Sequence, residues 1–216
     1  MEQAVANPWL PPGAAVPLWF SGSSRQALEV AARFADAYLT FAEPLPQLRE
    51  KLDELATQAR GYGRRPRLGL RASLILAETD ALAWQKAQRL LELTSRATLE
   101  RKLGLIARGG NAGGTSVTQS RIFAHLPARV LETIAAGRIP DARELSVDEH
   151  LWPGIALLQQ GPPMALVGSY RSIAARLCEY RKAGIDIFIL DSLPLLEGAY
   201  AVAEHVLPDL QAVSEQ

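Results

Sequence analysis

The chain has 216 residues, 48% of them hydrophobic, with 23 basic side chains set against 23 acidic ones. That balance suits one sizeable buried core and leaves no electrostatic footprint for nucleic acid or an anionic membrane. No apolar run approaches the roughly 18 residues that span a bilayer, and the single cysteine, Cys178, excludes an intrachain disulfide framework.

Residues 1–15 read as an extended lead-in; Pro8, Pro11, Pro12 and Gly13 interrupt any signal-peptide pattern, so a cytoplasmic protein is expected. Val16–Phe20 is the first predicted strand. It enters the turn Ser21-Gly22-Ser23-Ser24, and a helix follows to Asp36 with Ala27, Leu28, Ala31, Phe34 and Ala35 on one face. Residues 37–41 form a second short strand. Leu45, Leu48, Leu52 and Leu55 mark an amphipathic helix that stops near Gly61 and Gly63. Residues 67–76 read as a third strand, and Asp80 opens one long helical region reaching about Ala107.

The Gly-, Ser- and Thr-rich residues 109–120 are a loop by composition, with less regular material to about Pro163. Strand-like Ala165-Leu166-Val167 ends at Gly168. Ser169 can cap a helix carrying Ile173, Leu177 and Tyr180, which Gly184 closes. Residues 185–190 are a buried-type strand, and Leu195 to Leu210 is the last helix.

Alternating strands and helices imply parallel βα units, with a site at the strands' carboxyl ends. There are about four such units. A closed eight-unit barrel takes about 250 residues, so these units alone are not expected to close one. The turn Ser21–Ser24 stands out: an apolar strand ends in glycine and hydroxyls just before a helix, where amides and macrodipole favour an anion. Ordinary capping of the helix by a serine explains the same residues equally well.

These residues resemble the luciferase-like flavin monooxygenases, most closely the reduced-FMN-dependent alkanesulfonate monooxygenases. The resemblance runs through Pro17-Leu18-Trp19-Phe20-Ser21-Gly22-Ser23-Ser24, Tyr38-Leu39-Thr40-Phe41-Ala42-Glu43-Pro44 and Gly69-Leu70-Arg71. It continues through Leu151-Trp152-Pro153-Gly154, Ala165-Leu166-Val167-Gly168, residues 184–190 and Pro194-Leu195-Leu196-Glu197-Gly198-Ala199-Tyr200. It extends over about 16–210 and spares the stretch near 108–145. It implies a partial TIM-type (β/α)8 barrel: the C-terminal βα units, strands five to eight, in one domain over 16–210. A helical and loop insertion, about 80–163, follows the seventh strand.

The resemblance further implies that Ser23 and Ser24 hold a flavin phosphate, with Gly22 letting the backbone approach it. Arg71 would face the active site, where a guanidinium can hold a sulfonate or stabilise a peroxyflavin anion; a salt-bridged arginine at a strand end is the alternative. Three places depart from the sulfonate enzymes. Ser73 stands where they have histidine, Phe41 where they have tryptophan, and Ser192-Leu193-Pro194-Leu195 where a Gly-Tyr-Pro-His pattern is typical. Leucine neither moves protons nor anchors a polar oxygen. These losses fit a more apolar substrate or a non-catalytic site.

His125, His150 and His205 are scattered without metal-ligand spacing, and no metal is expected. His205 reads as a packed or surface histidine, Cys178 as a small buried hydrophobe, and Trp152 as core beneath the loop. Arg121 follows the Gly-rich loop, where related enzymes carry a lid arginine; a solvated charge is the other reading. The implied function is an FMNH2-dependent monooxygenase using O2 on a small organic substrate, organosulfur compounds included. A separate flavin reductase would supply the reduced FMN. A second copy or a complementing half-barrel chain would supply the other strands. The alternatives are a non-catalytic flavin- or phosphate-binding half barrel and a fragment that only associates with a full-length relative.

Overall fold

A computed structural model describes residues 15–107, 123–159 and 161–212. The elements in chain order are β1 (Trp19–Ser21), α1 (Arg25–Phe34), β2 (Ala37–Phe41), α2 (Leu45–Gly61) and β3 (Arg67–Ala77). Helices α3 (Asp80–Leu93), α4 (Arg96–Ala107) and α5 (Ala128–Ala135) follow, then β4 (Leu151–Trp152) and the short α6 (Ile155–Leu158). The chain continues through β5 (Ala165–Ser169), α7 (Tyr170–Lys182), β6 (Ile187–Ser192), α8 (Leu195–Ala201) and α9 (Leu207–Ala212).

Strands β1, β2, β3 and β6 lie side by side, all parallel, in chain order. This is the succession of neighbouring βα units in a barrel wall, and among the described residues the wall does not close. Beyond Arg71, β3 outruns β2, and β5 pairs in parallel with that overhang from Ser73 to Ala77. Ser73 is in register with both Ala165 and Asp191, so β5 and β6 occupy opposite edges of β3. Antiparallel β4 completes the flank on β5.

The period of two along each strand divides the sheet's faces. Tyr38, Leu70, Ala72, Leu74 and Leu76 point outward and pack under α1, α2, α7 and α9 with Leu28, Leu48, Leu52, Leu55, Ile173 and Leu177. Each of these fully buried leucines contributes roughly 1.5–3 kcal/mol relative to exposure. A second core lies on the other side of the β3 overhang. There Ile75, Ala77, Ala165 and Val167 meet Trp84, Leu91, Phe123, Ile134 and Trp152 from the insertion. The inner face below that overhang carries Trp19, Leu39, Phe41, Arg71, Ile187 and Ile189, all half-buried or exposed.

Several boundaries differ from the sequence expectation. β1 begins at Trp19 rather than Val16: Leu18 is instead tied to Asp36, its amide donating to Oδ2 at 2.8 Å. Phe34 leaves the buried face of α1, is half-exposed and lies under the Arg33 guanidinium. The long helical region expected from Asp80 to about Ala107 is present and divides into two helices. Thr94 donates its hydroxyl back to Leu90 O, and Ser95 Oγ caps the amide of Thr98, so local side-chain bonds end one helix and start the next. The last helix likewise contains a π-helical turn, Val202–Val206, between α8 and α9. β6 runs Ile187–Ser192, two residues beyond the expected strand, and is half-buried rather than fully buried.

Trp152 and Cys178 are buried as expected. His205 lies on the surface and stacks on Tyr170 at 4.5 Å. The expected loop at 109–120, together with Arg121, and most of the 1–15 lead-in lie outside the described residues. Among the described residues, no helix is long and apolar enough to cross a membrane.

Candidate functional site

The turn between β1 and α1 sits at the carboxyl end of the sheet. Ser24 is the N-cap of α1, its Oγ accepting from the Ala27 amide at 3.1 Å, and the Leu28 amide closes on Ser24 O. The hydroxyl proton of Ser24 remains available to a ligand, because capping uses the oxygen only as an acceptor. Ser23 is exposed beside it. No acidic residue occupies the first turn of α1, whose first residue is Arg25. Arg25, which the sequence reading passed over, adds a cation at the positive end of the helix dipole.

Gly22 has a packing reason of its own. A Cβ there would lie 2.6 Å from Ala27 Cβ, so only glycine lets the chain turn this tightly into α1. Its carbonyl accepts a 2.7 Å hydrogen bond from Tyr38 Oη. Burial first, and then the charge of Glu43, push the Tyr38 phenol well above its ordinary range against the opposing Thr40 bond, so it stays a donor. The turn is thereby held from two sides.

Arg71 stands on the inner face of β3, in register with Phe41 on one side and Ile189 on the other. One layer below are Leu39, Gly69 and Ile187, and Gly69 leaves the space that the tip of Leu39 fills. One layer above, Ser73 faces Asp191. Arg71 Nη2 lies 3.8 Å from Asp191 Oδ2, with the arginine side chain 46% exposed. Ser73 Oγ donates to Asp191 Oδ1, and Gln159 Nε2 donates to Ser73 Oγ at 3.1 Å.

Asp191 and Gln159 escaped the sequence reading. Asp191 was within reach: alternation along β6 puts it on the same face as Ile187 and Ile189, but the expected strand stopped one residue short. Gln159 carried no signal, because only the fold of the insertion brings it to Ser73, 86 positions away. The structure therefore gathers Arg71, Ser73, Asp191 and Gln159 at one end of the inner face. The Gly22–Ser24 turn lies two strands away at the same end of the sheet. Leu193 and Leu195 follow β6, and Leu195 is largely exposed.

Among the described residues, no group of three or more His, Cys, Asp or Glu side chains is placed to hold a metal ion. His150 is buried with Nδ1 3.0 Å from Val167 O. Asp80, at the start of α3, accepts from the Ser169 amide at 2.6 Å and the Ser172 hydroxyl at 3.1 Å, tying α3 to α7.

The profile of the luciferase-like monooxygenase family matches residues 2–186. Among solved structures, riboflavin lyase (RcaE) with modified FMN and riboflavin is similar at 19% identity and a TM-score of 0.61, over 91% of this chain and 43% of that one. DmoA from Hyphomicrobium sulfonivorans is similar at 20% identity and a TM-score of 0.61, over 91% of this chain and 41% of that one. EDTA monooxygenase (EmoA) from Chelativorans sp. BNC1 is similar at 20% identity and a TM-score of 0.57, over 95% and 48%. The chain thus spans less than half the length of these three proteins.

Proposed function

The chain belongs to the luciferase-like monooxygenase family, and from that premise we propose that it is the C-terminal half-barrel unit of an FMNH2-dependent monooxygenase acting on a small organic substrate with O2. The observation that carries this reading is the pairing of an anion-ready turn with a polar cluster, both at the carboxyl end of one parallel sheet. The alkanesulfonate enzymes are the subgroup whose motifs the chain resembles.

The residues fit a flavin phosphate. Ser23 and Ser24 would donate their hydroxyls to its oxygens, Arg25 would add charge, and the first-turn amides of α1 would point at it. Gly22 and Tyr38 would hold this turn in place. Reduced FMN supplies the two electrons by which one oxygen atom of O2 reaches the substrate and the other leaves as water. Arg71 would meet the substrate head or a developing oxyanion, while Trp19, Leu39, Phe41 and Ile189 would exclude water from the inner face.

Completion of the site calls for further strands. Among the described residues, β1 and β6 each pair on one edge only, which leaves the other edge to a further strand. Exposed apolar side chains flank both: Val16, Leu18, Trp19, Val30 and Phe34 at one end, and Leu195, Leu196 and Tyr200 at the other. We assign these two borders to four further βα units, from a second copy or a complementing chain, with a flavin reductase as the source of FMNH2. A second reading is a flavin-binding half barrel without turnover, which the apolar Leu193 and Leu195 favour.

The test is an anaerobic titration of the purified chain with reduced FMN, followed by flavin fluorescence, with mass by light scattering on the same sample. Saturable binding by a defined oligomer is the expected result. A chain that binds no flavin, alone or with a complementing half, would overturn the reading.

A further inference from the structure

Arg71 does not meet the inner face as a free cation. Asp191 Oδ2 lies 3.8 Å from its Nη2, within ion-pair reach before any ligand arrives. Asp191 is itself held: Oδ1 accepts the hydroxyl of Ser73, which is fully buried and in turn accepts from Gln159. The carboxylate is therefore anchored to β3 and the insertion and cannot swing away at little cost.

The strand positions immediately around Arg71 are apolar. Phe41 and Ile189 flank Arg71 in register, with Leu39 and Ile187 one layer below. The only other basic residue at an inner-face position of β3 is Arg67, at the strand's opposite end. At the inner-face positions of β2, β3 and β6 around Arg71, one cation and one anchored anion leave no net charge. An alkyl sulfonate, negative at every working pH, would have to share Arg71 with Asp191, and two anions on one cation repel. An uncharged chain compound meets no such penalty and gains from the apolar lining.

We propose that Asp191 neutralises Arg71, so that the inner face takes an uncharged, mainly apolar organic substrate and turns away alkyl sulfonates. This rests on the reading above of the inner face as the substrate face. Ser73 and Gln159 act through Asp191 as positioning residues. Two of the departures from the sulfonate pattern take part: Ser73 holds Asp191, and Phe41 lines the face beside Arg71.

The experiment is isothermal titration of the full chain with octan-1-ol and octane-1-sulfonate, which share a chain length and differ in head charge. The wild type should bind the alcohol at least about tenfold more tightly. Asp191→Asn keeps the side chain's shape and an acceptor for Ser73 but frees the charge of Arg71; octanesulfonate binding should tighten by about tenfold, with octanol changed less than about threefold. Adding Arg71→Ala to that variant should erase the gain. Should Asp191→Asn fail to fold by circular dichroism, the probe order of the wild type decides alone. Sulfonate binding as tight as the alcohol's, no gain in the Asn variant, or binding of neither probe overturns the proposal. Reduced FMN titrated into the same samples separates the two readings. Lost flavin binding with the probe order intact removes the flavin assignment, and a reversed order with flavin bound removes only this one.

Discussion

Tyr38, buried in β2, donates its hydroxyl to the carbonyl of Gly22 at 2.7 Å and so ties the turn after β1 to the neighbouring strand. The bond makes the turn's position depend on the core. Tyr38→Phe leaves the ring packed and removes one partner of a part-buried bond, which should cost about 1–2 kcal/mol in a urea titration. Flavin affinity should weaken in the same variant if the turn holds the phosphate. Unchanged stability would show that the bond contributes nothing.

Gly22 makes a sharper case, because its requirement is steric. Gly22→Ala would press a methyl group to 2.6 Å from Ala27 Cβ, and overpacking of this kind costs about 1–3 kcal/mol. Replacing Ala27 with glycine in the same chain should recover part of that loss, since it removes the atom that is struck. A double-mutant cycle from denaturation midpoints gives the coupling. Additive costs would mean that the turn gives way elsewhere.

The wall of the barrel was legible in the sequence; the roof was not. Ala37–Phe41 and Leu45–Gly61 fall on the expected segments because a short strand and a heptad-like leucine pattern each carry one period and clear stops at Pro44 and Gly63. The insertion has no single period. Its helices divide at Thr94 and Ser95, where hydroxyls compete for backbone groups, and its packing depends on Trp84, Phe123 and Trp152 meeting from distant positions. The same holds within the site. Arg71 was identifiable from its place in a motif, whereas Asp191 and Gln159 become its neighbours only through the β3–β6 register and the fold of the insertion.

Asp80 links α3 to α7 and should make stability depend on acid. Burial alone would push its carboxyl up; the Ser169 amide and the hydroxyls of Ser172 and Ser169, with the nearby His150, outweigh it and hold the group below its ordinary value. A depressed carboxyl stabilises the fold above the unfolded value, about 3.9, and the contribution is lost as pH falls through the lower folded value. Asp80→Asn should therefore lower the melting temperature at neutral pH and flatten its decline in acid. The two melting curves should converge as pH falls through the range below the unfolded value. A constant offset throughout that range would assign the loss to packing instead.

Arg71 is a test of chemistry rather than of stability. Its side chain is half-exposed and its ion pair with Asp191 is long, so the fold owes it little, less than about 1 kcal/mol by the usual value of such pairs. Arg71→Ala should keep the melting temperature within a few degrees while abolishing turnover in a reconstituted assay with reduced FMN and oxygen. Kinetics equal to the wild type would remove Arg71 from the site.

The borders of the sheet make the last prediction. Leu195, Leu196 and Tyr200 on α8 are each at least half exposed, as are Val16, Leu18, Trp19 and Phe34 at the other border. Isolated exposed leucines are common, but here two apolar borders flank the two strands that, among the described residues, pair on one edge only, and on the proposed half-barrel reading they are the ends of an unfinished wall. Replacing Leu195 and Leu196 together with lysine removes little packing, since the two residues are 67% and 66% exposed. The double variant should fold as the wild type does by circular dichroism yet sediment as a smaller species. It should also fail to bind reduced flavin if the completed barrel is what binds it. A wild-type chain that sediments as a monomer and binds flavin unaided would mean that the open wall is sufficient.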